Sequence, residues 1–491
     1  EEIERRIKRI ILSEYPRHIL GALPILFSTE ISMDSDIFRR TATAVLNAYL
    51  HPSLEHFLYN TEDFLRGLRY KKPLFIFSND GTSNRVAKVT ALKTYNSGPA
   101  GGLEGAANLA RHYDLDRVVT IDIGGTSTDL SFIVNGQIEE QNPGEIDGTE
   151  VSIPLRKIVP LGGGGGTIAR VRDEEFQLGP DSAGAAPGPA CFGFGGTEAT
   201  VTDANVVCGY FKSNALLAGQ VTIDGERAEK AVRTKVADPL GLSVEEAGLL
   251  IRETLEKRIG QAIRSRIESR GFHPGQFTLM AFGGAGPVHA AGIAAYAGIN
   301  RVIIPDMCAI FSSFGIGFSD VVHRYERTIQ PDAGQFQEAA NALTERAMID
   351  MRGEGFDRQS IELNWQIQLL DENGAAAILE DLKDAEQELA KRPNVTEVKM
   401  LLQAKGRLPH LSLEEKDRPD ISPSPREHRM VVWSAEQRVE TPIYHLRDLD
   451  QVRAVIRGPA VVEGDNTTVV VPDGWVLARD RYDQYFLTRE V

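Results

Sequence analysis

Asp122-Ile123-Gly124-Gly125-Thr126-Ser127-Thr128-Asp129 is the stretch on which the reading of this chain turns. Apolar and β-branched residues lead into it (RVVTI, 117–121) and out of it (LSFIV, 130–134), so strands are predicted over 117–122 and 129–134. Two glycines turn the chain between them, and Asn135-Gly136 signals a further hairpin. Without a Cβ at Gly124 and Gly125, backbone N–H groups can approach phosphate oxygens closely. Thr126, Ser127 and Thr128 add hydroxyl donors. Asp122 and Asp129 stand on either side, where they could hold Mg²⁺ (or Mn²⁺) through waters, the usual way that ion is kept. The competing reading is a glycine-turned hairpin of the kind any β protein contains. The T-S-T-D continuation and a second glycine turn downstream favour phosphate binding, with Asp122, Thr126 and Asp129 carrying the chemistry.

The second turn is FGGAGPVH, residues 282–289. A strand is predicted over 277–282, then Gly283, Gly284 and Gly286 turn the chain, and Pro287 sits where a helix begins. The start of that helix adds favourable partial charge for an anion. Neither G-x-G-x-x-G nor Gly-Lys-Ser/Thr is present, so this is no dinucleotide fingerprint and no P-loop. Two glycine turns far apart in sequence suit a nucleotide clamped between two domains. A third glycine run, LGGGGGT (161–167), either closes over phosphate through Gly163 and Gly164 or serves as a hinge. Asp181, Ser182, Asp203 and Asn205 lie in the Gly/Pro-rich segment 161–210 and either line an acceptor-substrate site or cap turns. His289 has the same two readings, a contact to nucleotide or substrate or a satisfied helix-start histidine. Cys191 reads as an inert loop residue, since no sequence feature supplies an activating base.

Around these motifs the chain reads as α/β. Its 491 residues imply two to four domains, and 42% hydrophobic and 25% charged residues are ordinary for a globular protein. A net charge of −15 argues against a nucleic-acid partner. No apolar run reaches the roughly 18 residues of a membrane helix. Three scattered cysteines make no disulfide framework, so a cytoplasmic location is expected. An amphipathic helix opens the sequence (Ile3, Ile7, Ile10, Ile11) without an initiator Met or signal pattern, so the gene is expected to begin upstream. A strand is predicted over 19–27, a long helix over 37–68, and a strand over 72–78. NSGPAGG (96–102) opens a small-residue helix to His112. Ser243 and Glu246 form a capping box for a helix with Ala247, Ile251, Leu255, Ile259, Ile263 and Ile267 on one stripe. Beyond Val321 the texture becomes strand-like, interrupted by a charged stretch (371–393) and a proline-studded linker (418–425). Three domains are expected: 1–95, 96–320 with the phosphate and adenosine motifs, and a β-rich 321–491.

Taken together these motifs carry a resemblance. Residues 122–129 look like the second phosphate motif of the actin/sugar-kinase/Hsp70 ATPase superfamily, and 283–289 like its adenosine motif. NSGPAGG, GPDSAGAAPGPACFG (179–193), GGTEATVTDAN (195–205) and GPAVVEGDNTTVVVPDGW (458–475) narrow it. That ordered set resembles the large subunits of the hydantoinase A, oxoprolinase and ketone carboxylase family. The resemblance implies a two-lobed actin-like ATPase with a β-rich C-terminal domain, binding ATP and Mg²⁺. It implies phosphorylation of an amide or enolate oxygen, after which water opens a cyclic amide or a carboxylate donor adds to a ketone. A hydantoinase B-like second subunit is the implied partner. The family's first D-x-G-G-T hairpin has no counterpart before Asp122, so the N-terminal portion of the first lobe is expected to be missing from this sequence. The fit is also poor over 371–393. YNSGP (95–99) and FSSFG (311–315) look closer to ketone carboxylases, which take a ketone and bicarbonate to a β-keto acid. ATP-dependent cyclic amide hydrolysis and a non-catalytic ATP-binding scaffold are the alternatives.

Overall fold

In the computed structural model, RVVTIDI forms the strand Arg117–Ile123, and Val118, Val119, Ile121 and Ile123 are wholly buried. A strand covered on both faces draws a near-continuous apolar run, interrupted here by Thr120 and Asp122. It lies inside a nine-stranded mixed sheet. On one side it pairs antiparallel with Ser127–Val134, which pairs in turn with Val159–Gly162. On the other side it pairs parallel with Thr278–Phe282, and then comes Arg301–Ile304. Three strands from late in the sequence follow: Tyr485–Arg489 runs antiparallel to Arg301–Ile304, then come Trp475–Arg479 and Val455–Arg457, while Gln137–Ile138 pairs with Ser127–Val134 as the ninth strand. The structure describes residues 2–15, 25–32, 34, 36–86, 89–217, 219, 221–372, 374–419, 421–450 and 452–490.

The helix Val244–Ser269 begins with the capping box read from sequence: Ser243 Oγ accepts from the Glu246 N–H (3.2 Å) and Glu246 Oε2 from the Ser243 N–H (2.8 Å). Its predicted stripe, Ala247 to Ile267 in steps of four, is fully buried. It packs closely on the helix Gly286–Ala297, because Gly260 has no side chain; a Cβ there would lie 2.5 Å from Tyr296 Cβ. A separate four-stranded sheet, Glu427–Ser434, Gln437–His445, Ala460–Glu463 and Thr468–Val471, makes the C-terminal part β-rich. These elements belong to a compact unit of Gly102–Glu139, Lys157–Gly315 and Leu411–Val491.

The other unit comprises Glu1–Gly101, Glu140–Arg156 and Ile316–His410. Its six-stranded sheet runs Phe75–Phe77, Thr82–Arg85, Asp320–Ile329, Glu397–Gly406, Ile361–Asp371, Gly374–Leu379. The helix Ala333–Gly353 covers this sheet with Phe336, Ala340, Leu343, Ala347 and Met351. That 21-residue helix sits where the sequence texture suggests strands, and its own i, i+3, i+4 apolar spacing is the signal. The charged stretch 371–393 contains the strand Gly374–Leu379 and the helix Leu382–Lys391, capped by Asp381. The long helix is Ile37–Gly67, close to the expectation, whereas the strand predicted over 72–78 shortens to Phe75–Phe77. Of the strand predicted over 19–27, residues 19–24 lie outside the described residues and 25–27 have no regular structure. Among the described residues no helix is long and apolar enough to cross a membrane.

Candidate functional site

The hairpin register sets Asp122 directly opposite Asp129, on the same face of the sheet. The Gly124 N–H donates to the Ser127 carbonyl (3.1 Å), which closes a turn with Gly125 and Thr126 at its tip. Gly124 to Ser127 are exposed, so the tip amides and the Thr126 and Ser127 hydroxyls stand open. Thr128 points to the other face, where it is buried and donates to the Gly163 carbonyl (2.6 Å). Its hydroxyl is therefore spent on the fold.

Two carboxylates facing each other in a partly dry place resist ionisation. Burial pushes Asp129 up to about 6, and the Asp122 charge adds to the effect. Burial also raises Asp122, against the opposing hydrogen bond from Ser312. For Asp129 the sign follows from linkage. Its ordinary value is 3.8 and its folded value about 6, so the metal-free protein loses stability as pH rises through that window. A divalent cation would relieve the repulsion, and protons compete with it below about pH 6. Among the described residues no group of three or more His, Cys, Asp or Glu could hold a metal. A lone carboxylate pair suits Mg²⁺, which keeps several waters and takes phosphate oxygens beside one or two carboxylates.

The second glycine turn meets the first. Strands Arg117–Ile123 and Thr278–Phe282 run parallel with Phe282 beside Asp122, so both turns leave the carboxyl ends of neighbouring strands. Ligands in α/β sheets sit at such ends. The Ala285 N–H donates to the Ile123 carbonyl (3.0 Å), and the Gly283 N–H to the Cys308 carbonyl (2.9 Å). Gly283 has φ +81°, and a Cβ there would overlap Asp122 Oδ1 and lie 2.5 Å from the Ile123 carbonyl oxygen. Only glycine fits. Gly284 faces open space. Gly286 and Pro287 open the helix Gly286–Ala297, whose N-cap, Ala285, offers no side-chain acceptor to the first-turn amides.

The glycine run braces the hairpin from its far side. Gly165 and Gly166 donate to the Gly124 and Gly125 carbonyls (3.0 and 2.6 Å), and the Gly164 N–H goes to Thr167 Oγ1 (2.7 Å). A Cβ on Gly164 would lie 2.7 Å from the Gly124 carbonyl oxygen, and Gly163 has φ +139°. Three of the run's amides are thus occupied within the fold.

The remaining sequence candidates divide. Ser182 lies against Gly166 and accepts from the Gly184 N–H (3.2 Å), while Asp181 pairs with Arg170 (2.9 Å) and is largely exposed. Asp203 is wholly buried and completes a capping box with Thr200, the N-cap of the helix Val201–Val207; its carboxylate accepts from the N–H groups of Ala190, Cys191 and Thr200 and from the Thr200 hydroxyl. It holds a loop. Burial pushes the neighbouring Cys191 thiol up, with the Asp203 charge adding, which agrees with an inert residue. His289 is also wholly buried, with Nδ1 2.9 Å from Glu256 Oε1 and Nε2 3.2 Å from Asn205 Nδ2. Glu256 pairs with Arg252 (2.9 Å), whose guanidinium donates to the Val288 carbonyl (3.0 Å) and stacks on Tyr210. His289 and Asn205 therefore belong to a buried network tying three helices together. Sequence reading misses Arg252 and Glu256; an i, i+4 Arg–Glu pair alongside the apolar stripe is the available signal. It also misses Ser312, which donates to Asp122 Oδ2 (3.3 Å).

With this geometry in hand, comparison with known proteins is specific. The hydantoinase/oxoprolinase family profile matches residues 40–325, and the hydantoinase/oxoprolinase C-terminal domain profile matches 388–489. The acetophenone carboxylase gamma subunit of Aromatoleum aromaticum is 31% identical over 98% of this chain and 71% of its own length. A nucleotide-free acetone carboxylase structure superposes with a TM-score of 0.84 at 27% identity, covering 100% of this chain and 74% of that one. The crystal structure of the ATP-dependent caprolactamase from Pseudomonas jessenii gives 0.76 at 28% identity, covering 99% and 74%. The fold described above is that of the actin/Hsp70-like ATPases, and the chain belongs to the hydantoinase/oxoprolinase family.

Proposed function

We propose that this chain is the ATP-using subunit of a ketone carboxylase, which activates a ketone by phosphorylation so that bicarbonate-derived carbon can be joined to it as a β-keto acid. The observation that carries the reading is the facing Asp122–Asp129 pair between two glycine turns. Asp122 and Asp129 would hold Mg²⁺, and Gly125, Thr126, Ser127 and Gly284 offer amides and hydroxyls to phosphate oxygens. The uncapped start of the helix Gly286–Ala297, with Gly286 and Pro287, adds positive partial charge. Bound ATP would supply the phosphoryl group, and the ion would neutralise charge during its transfer. The protein's own contribution is placement: Gly283 and the braced glycine run hold the Asp122 carboxylate and the turn in one geometry before ligand arrives. Asp181 and Ser182, near the run, are the residues left to line a substrate site.

The likeness to acetophenone and acetone carboxylases supports the carboxylase branch, and a hydantoinase B-like subunit is the expected partner. The likeness to a caprolactamase supports the second reading, ATP-dependent opening of a cyclic amide. An intact carboxylate pair speaks against a non-catalytic scaffold. Isotope labelling separates the branches in the native complex. With ketone, ATP and ¹³C-bicarbonate, label is expected in a β-keto acid, and neither ketone nor bicarbonate alone supports product. ATP-coupled ring opening of a lactam or hydantoin without carbon fixation would put the chain in the hydrolase branch.

A further inference from the structure

Asp122 does not hold its own orientation. Its carboxylate is boxed by two neighbours on different elements: Gly283, where any Cβ would overlap Oδ1, and Ser312, whose hydroxyl donates to Oδ2 at 3.3 Å. Ser312 lies on the short helix Phe311–Ile316, which reaches the hairpin only because another helix lets it in. On the helix Ser97–His112, a Cβ at Gly102 would lie 2.9 Å from Ser312 Oγ and 2.7 Å from Phe282 Cε2. At Gly105, one turn on, a Cβ would lie 3.0 Å from both Gly315 Cα and Phe311 Cζ. The buried Phe311 ring packs on Phe282 with centroids 4.8 Å apart, at the end of the strand beside Asp122. Two glycines, one aromatic contact and one hydroxyl thus converge to put Ser312 Oγ against Asp122.

From this convergence we propose that Ser312 is the positioning residue of the metal-binding pair: its hydroxyl fixes the Asp122 carboxylate in one orientation opposite Asp129. The proposal rests on the reading of Asp122 and Asp129 as the Mg²⁺ pair. A free carboxylate rotates about χ2, a broad torsion with a low barrier, and would meet an incoming ion in several orientations. Accepting one hydrogen bond on Oδ2 selects one of them and still leaves the carboxylate lone pairs for an ion. Gly102 then has a stated use: it reserves the space that keeps this hydroxyl in place.

The test uses the native complex, with Mn²⁺ alone as the probe, followed by the EPR signal of the free ion. Ser312→Ala is expected to weaken Mn²⁺ binding about tenfold, the effect of losing one hydrogen bond to a charged group. Ser312→Thr, which keeps a hydroxyl, is expected to stay within about twofold of wild type. A merely structural serine would move the melting temperature and not the ion. Asp122→Asn serves as the reference. If it weakens Mn²⁺ binding while Ser312→Ala matches wild type, or if Thr fails as Ala does, the positioning role is wrong and the metal pair stands. If Asp122→Asn itself binds Mn²⁺ like wild type, the metal pair is wrong as well.

Discussion

Asp122→Asn in the native complex is expected to cut ATP turnover about a hundredfold or more while leaving the fold intact, because one group stabilising charge at a phosphoryl transfer centre is worth about 3–4 kcal/mol. The substitution is nearly isosteric, so Gly283 still fits against the side chain and the hydrogen bond from Ser312 keeps an oxygen to meet. What changes is charge. On the proposed reading Asp129 would lose its partner in holding a divalent cation, and one carboxylate with an amide holds Mg²⁺ poorly. A coupled assay of ADP release at saturating ATP and Mg²⁺ reads the effect. Turnover near wild type would remove Asp122 from the chemistry.

Glu256→Ala is expected to have the largest effect on stability, a loss of about 3–5 kcal/mol, since it strips one partner from a buried ion pair and leaves the other uncompensated. Glu256 and Arg252 are 5% and 7% exposed, and Glu256 also meets His289, which is wholly buried. Gly292 on the facing helix has no room for a Cβ, which would overlap the Glu256 carboxylate. Truncation therefore opens a cavity, orphans a guanidinium, and removes the acceptor of an imidazole at the same time. Burial already lowers the His289 pKa, and without the carboxylate the ring would be neutral with an unpaired N–H. Glu256→Gln keeps the shape and an acceptor and should lose less. The shift of the urea midpoint measures both variants, and a loss below about 1 kcal/mol for Glu256→Ala would mean that the network relaxes around the gap.

The amino-acid sequence makes legible what the chain encodes locally. A strand buried on both faces draws a near-continuous apolar run, and Val118, Val119, Ile121 and Ile123 make Arg117–Ile123 visible. The capping box of Ser243 and Glu246 and the four-residue stripe behind it specify a helix without help from elsewhere. Both glycine turns are visible because each follows a strand at once. Non-local pairing is not visible: nothing in Tyr485–Arg489 says that it pairs with Arg301–Ile304, nearly two hundred residues earlier. Buried polar partners are hidden for the same reason. Asp203 and Ser182 look alike in a Gly/Pro-rich segment, yet one is enclosed by four donors and the other lies against the glycine run. The helix Ala333–Gly353 is legible in its own spacing, but the strand-like segments around it set the expectation.

Nucleotide phosphates are proposed to sit on the two glycine turns, and amide hydrogen exchange with and without a non-hydrolysable Mg²⁺–ATP analogue tests this most directly. In the native complex, peptides spanning residues 122–128 and 282–288 should gain protection on binding. Backbone amides at exposed Gly125 and Thr126 exchange freely until an acceptor arrives, so protection there reports contact. Residues 203–205, already buried and bonded, should change little. Protection that skips both turns and appears elsewhere in the chain, with the analogue shown to be bound, would contradict the site.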